Sequence, residues 1–348
     1  MSTITWTENE TPRSARWHSE NSAPAPENVV VADDRITANT AQRLARSGTG
    51  LLWRGDFPNA RQLLRAMARR LRQPAGGHRA AQAERAGLLG KLLVLLEPDH
   101  SLRLRRAPDV RAACDHAYGP ANGATVVSLS ELLGVLGAHQ WHLRGVEIPA
   151  LNARIHPDYG VFSPTRGDYV DLVARAPLPA GAAVAFDLGT GTGVLAAVLA
   201  RRGVRVMGTD VNPRAVACAR TNLTRLGLAG QVRVVETSRW PSGRADLVVC
   251  NPPWLPGRPA SPVELGVYDA GSGMLHQFLD GLADHLTANG EGWLVLSDLA
   301  EHLGLRTRAE LLGRIRAAGL RVAARADLAP RPARAMDQVT SLWRLRTL

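Results

Sequence analysis

The chain has 348 residues, 45% of them hydrophobic and 21% charged, with a formal net charge of +11. That apolar content excludes a disordered chain, and the length suits two domains of about 100–200 residues each. Cys114, Cys218 and Cys250 lie far apart with no CxxC spacing, which excludes a disulfide framework and a zinc knuckle. The polar start fits no secretory signal, and no apolar run reaches the ~18 residues of a membrane span, so a cytoplasmic protein is expected.

The charge is unevenly placed. Lys91 is the sole lysine; the other basic side chains are arginines. Residues 41–112 hold 15 basic and 5 acidic side chains, and 306–348 hold 10 and 3. Residues 151–305 hold 13 and 14. Basic flanks around a near-neutral middle suit an anionic macromolecular partner such as RNA or a ribosome-bound complex. Solvated helix faces would give the same pattern.

In chain order, residues 1–28 are rich in Ser, Thr, Asn, Glu and Pro and read as a flexible tail. Val29–Ala32 and Leu51–Trp53 read as strands. A helix capped by Asp33 or Asp34 lies between them, and another spans Asn59–Arg72, with Leu63, Leu64, Met67 and Leu71 on one face. Arg61, Arg65, Arg69 and Arg72 recur on a different face, as a partner surface or a solvated one. Further amphipathic helices are expected over 83–96 and 128–138. A basic accessory or substrate-recognition domain is therefore expected over 29–140. Residues 141–164 mix β-branched residues with Pro157, Asp158 and Gly160 and read as a linking extended segment. Strands then alternate with helices from Val184 to Arg344, implying βαβ units and a mostly parallel sheet over 165–348. His139 and His142 share a helical spacing, but no nearby carboxylate completes a metal site, so none is expected. Trp53, Trp141, Trp240 and Trp293 read as core.

Two motifs carry chemistry. Asp187-Leu-Gly189-Thr-Gly191-Thr-Gly193 leaves a strand and opens a helix. A dinucleotide loop would need GxGxxG, and Val194 stands at its third glycine. A GxGxG loop behind an acid suits S-adenosylmethionine instead. Asp187 would balance its ammonium, and the helix N-terminus tolerates its carboxylate. Asp210 ends the next strand, where a carboxylate accepts both ribose hydroxyls. The second motif, Asn251-Pro252-Pro253-Trp254, ends the strand Asp246–Cys250. Prolines fix φ and donate no hydrogen bond, so this turn is stiff. The Asn251 side-chain oxygen and the Pro252 carbonyl form a pair of acceptors for the two N–H groups of a planar nitrogen, with Trp254 stacking on the flat group. Arg166 and Asp168 border this site or, for Asp168, cap a helix.

At these residues the chain resembles class I methyltransferases with a methyltransferase small domain. Asn251–Trp254 is similar to the NPP-aromatic signature of enzymes that methylate protein glutamine, adenine N6 or guanine N2. The resemblance implies a Rossmann-like α/β sheet of seven strands, mostly parallel with a closing antiparallel hairpin, beside a smaller mixed α/β N-terminal domain. It implies S-adenosylmethionine as methyl donor, a macromolecular substrate, and Asn251 as the residue that binds the target nitrogen. Val161-Phe-Ser-Pro164, Asp168–Val173 and Asp269–Gly273 are similar to segments of the HemK-type release-factor glutamine methyltransferases, the leading reading. Gly160-Val-Phe-Ser163 resembles the ribosomal RNA guanine-N2 enzymes, which pair the catalytic domain with a degenerate copy of itself; their histidine after the aromatic is replaced by Leu255. The acid that meets the adenine amine in such enzymes is left open between Glu236, Ser238 and a backbone group.

Overall fold

Alternating burial begins at the N-terminus. The computed structural model describes residues 2–71, 77–165, 167–257, 266–328 and 338–348, except the side chains of 77–82; Arg72 and Arg166 lie outside these residues. Ile4 and Trp6 are 2% and 6% exposed while Thr3, Thr5 and Thr7 face out. The expected flexible tail is therefore, from Thr3 to Trp17, an antiparallel hairpin of β1 (Thr3–Glu8) and β2 (Thr11–Trp17). Asn9 and Glu10 turn it with φ of 49° and 62°. A polar composition hid a period-two pattern, which is what decides a half-buried strand.

Two units pack separately, Met1–Gln140 and Trp141–Leu348. In the first, β3 (Val29–Ala32), α1 (Ala38–Arg46, capped by Thr37 rather than Asp33 or Asp34), β4 (Gly50–Trp53), α2 (Phe57–Arg69) and α3 (Gly77–Leu89) come in turn. They are followed by β5 (Leu92–Leu96), α4 (Arg111–Tyr118), β6 (Thr125–Ser128) and α5 (Leu129–Arg144). The six strands form one sheet, ordered β1-β2-β6-β5-β4-β3, with β3, β4 and β5 parallel. The helix expected over 83–96 ends at Leu89 and gives way to β5. Leu92, Leu93, Val94 and Leu96 are fully buried, and a short run covered on both faces suits a strand. On α2, Leu63 and Met67 are buried while Arg61, Arg65 and Arg69 are exposed, so the arginine face is solvent-facing.

The second unit starts with a small hairpin, β7 (Val146–Ile148) and β8 (Ala153–Ile155), then α6 (Asp168–Arg175). Val146, Ile148 and Ile155 are buried in this unit's own core, so the expected linking segment is part of its body. The alternating run follows: β9 (Val184–Leu188), α7 (Val194–Arg201), β10 (Arg205–Asp210), α8 (Pro213–Arg225), β11 (Val232–Glu236) and β12 (Ala245–Cys250). Two short strands, β13 (Leu255–Pro256) and β14 (Tyr268–Asp269), pair with each other. Next come α9 (Gly273–His285), β15 (Leu286–Ser297), α10 (Leu299–His302), α11 (Arg308–Ala317), β16 (Leu320–Leu328) and β17 (Thr340–Thr347). The sheet order is β11-β10-β9-β12-β15-β17-β16, with β17 antiparallel to both neighbours. The expected seven-stranded sheet with a closing antiparallel hairpin is thus present.

Side chains alternate between two cores. Ala185, Leu247, Val249, Trp293 and Val295 join α6 and α7 on one face. Phe186, Val248, Cys250, Leu294 and Leu296 join α9 and α11 on the other. Both faces being covered explains the near-continuous apolar strands. Glu291, fully buried at the start of the visible alternation, accepts from Arg344, Arg346 and the Trp293 indole, tying β15 to the hairpin. Among the tryptophans expected in cores, Trp53 and Trp293 are buried, but Trp141 is 44% exposed beneath the Arg144 guanidinium. His142 pairs with Asp158 at 2.8 Å, a carboxylate that linear spacing did not bring near. No helix among the described residues is long and apolar enough to cross a membrane.

Candidate active site

In an open α/β sheet, ligands sit outside the carboxyl ends of the strands where the strand order reverses. That point lies between β9 and β12, which are adjacent although two strands separate them in sequence. Leu188 of β9 pairs with Cys250 of β12 and with Thr209 of β10. The glycine loop, Asn251 and Asp210 therefore leave three neighbouring strands at one level. A cavity of about 290 Å³ joins them, close to the low end of the ~300–1,000 Å³ of small-molecule sites.

Gly189, Gly191 and Gly193 all have positive φ, 70°, 55° and 80°. A Cβ on Gly189 would run into the Met274 side chain, and one on Gly193 would stand 3.2 Å from the Ala219 methyl. Gly189 and Gly191 line the cavity; Gly193 lies behind it, as the residue entering α7. Asp187 is 1% exposed and lines the cavity, but its Oδ2 accepts from the Thr190 hydroxyl at 2.7 Å and the Ala196 N–H at 3.0 Å. The carboxylate thus holds the loop to the first turn of α7 as well as facing the site. Asp210 accepts the Gly191 N–H and the Asn212 N–H, each at 2.9 Å and on different oxygens. The Asp210 side chain also lines the cavity.

Burial pushes the Asp187 carboxyl up to about 6, while the Thr190 and Ala196 donors pull the other way. An unfolded aspartate titrates near ~3.9. A folded value above the unfolded one means that the stability this group contributes is fully present below about pH 4 and is lost as the pH rises through about 6. Asp187→Asn keeps an acceptor for both donors. It is expected to raise Tm over wild type at pH 8 and to match it at pH 4 in calorimetry; a pH-independent difference would contradict the assignment.

After β12 the turn differs from expectation in two respects. Asn251 and Pro253 line the cavity, whereas Pro252 is buried behind it. Trp254, expected as a stacking platform, does not line the cavity. Its indole Nε1 donates to Asn251 Oδ1 at 2.9 Å, and its ring packs on the core formed with α9. Indole N–H only donates, so it fixes which end of the carboxamide carries the oxygen. Trp254→Phe keeps the aromatic face and removes this donor. Turnover is expected to fall about 5–10-fold with cofactor affinity unchanged, the effect of one hydrogen bond; wild-type turnover would leave stacking as the sole role.

Of the two adenine candidates, Ser238 lines the cavity and Glu236 does not. Thr237, Arg239 and Trp240 accompany Ser238, and the Ser238 carbonyl accepts from Gln277 Nε2 at 2.6 Å. Trp240, expected in the core, forms a cavity wall and stacks on His285 at 4.3 Å. Sequence reasoning passed over Tyr169, Phe162, Met274 and Gln277 as site residues, and all four line the cavity. Met274 follows the quoted Asp269–Gly273 stretch, whose Asp269 accepts the Met274 N–H at 2.8 Å and so starts α9 at the loop. Phe162 packs against Gly266, where a Cβ would stand 2.6 Å from its own.

A five-stranded parallel sheet closed by an antiparallel hairpin, with an acid-glycine loop after its first strand and an Asn-Pro-Pro turn after its fourth, is the class I methyltransferase fold. Residues 152–316 match the family model described as the methyltransferase small domain. The chain is 48% identical over 69 residues to a ribosomal protein L11 methyltransferase of Pelotomaculum thermopropionicum, covering 19% of this chain and 22% of the relative. It is 32% identical over 133 residues to the ribosomal RNA small subunit methyltransferase C of Aeromonas hydrophila, covering 38% and 36%. It is 36% identical over 153 residues to the release factor glutamine methyltransferase of Deinococcus radiodurans, covering 42% and 54%. In each case the chain spans less than two thirds of the relative's own length.

Proposed function

We propose that the chain is an S-adenosylmethionine-dependent methyltransferase acting on a planar nitrogen. The observation that carries this reading is the single cavity shared by Asn251, Gly191 and Asp210. The residues fit the cofactor. Gly189 and Gly191 leave the backbone open to a ligand, and the Asp210 carboxylate on the cavity wall suits the ribose hydroxyls. Asp187 faces the ammonium, and Thr237–Trp240 form the adenine wall. When bound, S-adenosylmethionine supplies a methyl group activated by a sulfonium. The protein's part is orientation. Asn251 Oδ1 keeps one lone pair beyond the bond from Trp254 and is held at the start of a stiff turn. It accepts an N–H group of an amide or exocyclic amine, aims the nitrogen lone pair, and favours a tetrahedral nitrogen as positive charge develops. The proton leaves after transfer, once the nitrogen is cationic, so no side chain need remove it first.

For the acceptor, the exocyclic amine of a nucleobase in RNA is favoured over the glutamine amide. The N-terminal unit is a sheet with parallel β3, β4 and β5 and helices between them, an arrangement suited to a degenerate copy of a methyltransferase sheet. Its exposed Arg61, Arg65 and Arg69 suit a phosphate backbone. Labelled methyl transfer into total lysate, followed by separate ribonuclease and protease digestion, tests both levels. Label lost to ribonuclease supports the nucleobase reading, and label lost only to protease supports glutamine. Binding of S-adenosylhomocysteine with no labelled product, in wild type and Asn251→Ala alike, would replace the enzyme with a silent binding module.

A further inference from the structure

Tyr169 stands in the first turn of α6. It is 4% exposed, belongs to the core on that face of the sheet, and lines the cavity. No hydrogen bond joins its hydroxyl, the side chain's one polar atom, to another described residue, and the atom is not among those sealed inside the protein. A hydroxyl left without a protein partner on a cavity wall is available to a bound ligand. Burial and the neighbouring Asp187 carboxylate hold the phenol proton on, so the group is a standing donor.

Its place along the cavity follows from strand order. Asp210 and Thr237–Trp240 follow β10 and β11, so they take the adenosine side. Asn251 follows β12 on the opposite flank and marks where the methyl is delivered. Between them, on β9, lies Asp187, with Tyr169 of α6 in its neighbourhood on the same cavity, leaving that place to the amino-acid part of the cofactor. We propose that the Tyr169 hydroxyl donates a hydrogen bond to the carboxylate of that amino-acid part. The assignment rests on the cofactor reading above and adds a discrimination to it: ligands with an amino-acid tail are held by Tyr169, and ligands ending at a 5′-thioether are not.

Titration of Tyr169→Phe and wild type with S-adenosylhomocysteine and with 5′-methylthioadenosine tests this. The two ligands share adenosine and sulfur, and only the first has the carboxylate. The variant is expected to bind S-adenosylhomocysteine about tenfold more weakly, ~1.4 kcal/mol, and methylthioadenosine as wild type does. Unchanged affinity for S-adenosylhomocysteine, or an equal loss for both ligands, would overturn the assignment while leaving the cofactor reading in place. Wild-type protein that binds neither ligand would overturn both together.

Discussion

Asn251→Ala is expected to lower kcat for methyl transfer by about 10²–10³-fold, the loss typical of removing one oriented hydrogen-bonding group at a reacting centre. The carboxamide touches the cavity and the Trp254 indole, not the adenosine side, so affinity for S-adenosylhomocysteine should stay within twofold of wild type. Calorimetric titration and single-turnover transfer of labelled methyl separate these quantities. The variant also leaves the Trp254 N–H without its acceptor, so a modest loss of stability should accompany the loss of rate. Near-normal turnover in the variant would mean that the diproline turn presents nothing to the substrate, and the proposed chemistry would fail with it.

Asp210→Ala is expected to act on the other half of the site. Each of its oxygens holds a backbone N–H, and the side chain lines the cavity where the ribose hydroxyls are expected. Hydrogen bonds to a charged group contribute about 1.5–3 kcal/mol, so the Kd for S-adenosylhomocysteine should rise about 10–100-fold. The Gly191 N–H is freed by the same change, so part of the effect comes from a looser loop. An S-adenosylhomocysteine analogue lacking both ribose hydroxyls separates the two contributions. It should lose less affinity than the natural ligand, and equal losses would place the ribose elsewhere.

The alternating run of strands and helices in the second unit was legible from its periodicity, and a helix start such as Pro213 behind the Asn212 cap carries a local signal. Both motifs were legible for the same reason: a glycine loop and a diproline turn impose their backbone on any chain that contains them. The N-terminal hairpin escaped because Thr, Glu and Arg mask Ile4, Trp6 and Ala15, and β5 because five apolar residues fit a helix or a strand equally well until their neighbours are known.

Trp254 marks where local reading ends. That an aromatic follows Asn-Pro-Pro says nothing of whether its face or its N–H acts, since that depends on the core of α9 against which the ring packs. Tyr169 lies inside the Asp168–Val173 segment, yet only the packing of α6 in the folded unit brings it to the cavity wall that Asp187 shares. Covalent backbone constraints and residue periodicity act over a few positions and survive in the linear chain. Which polar atoms meet, and which are left without a partner, depends on strands brought together across 61 intervening residues, as Leu188 and Cys250 are, and no local preference encodes that.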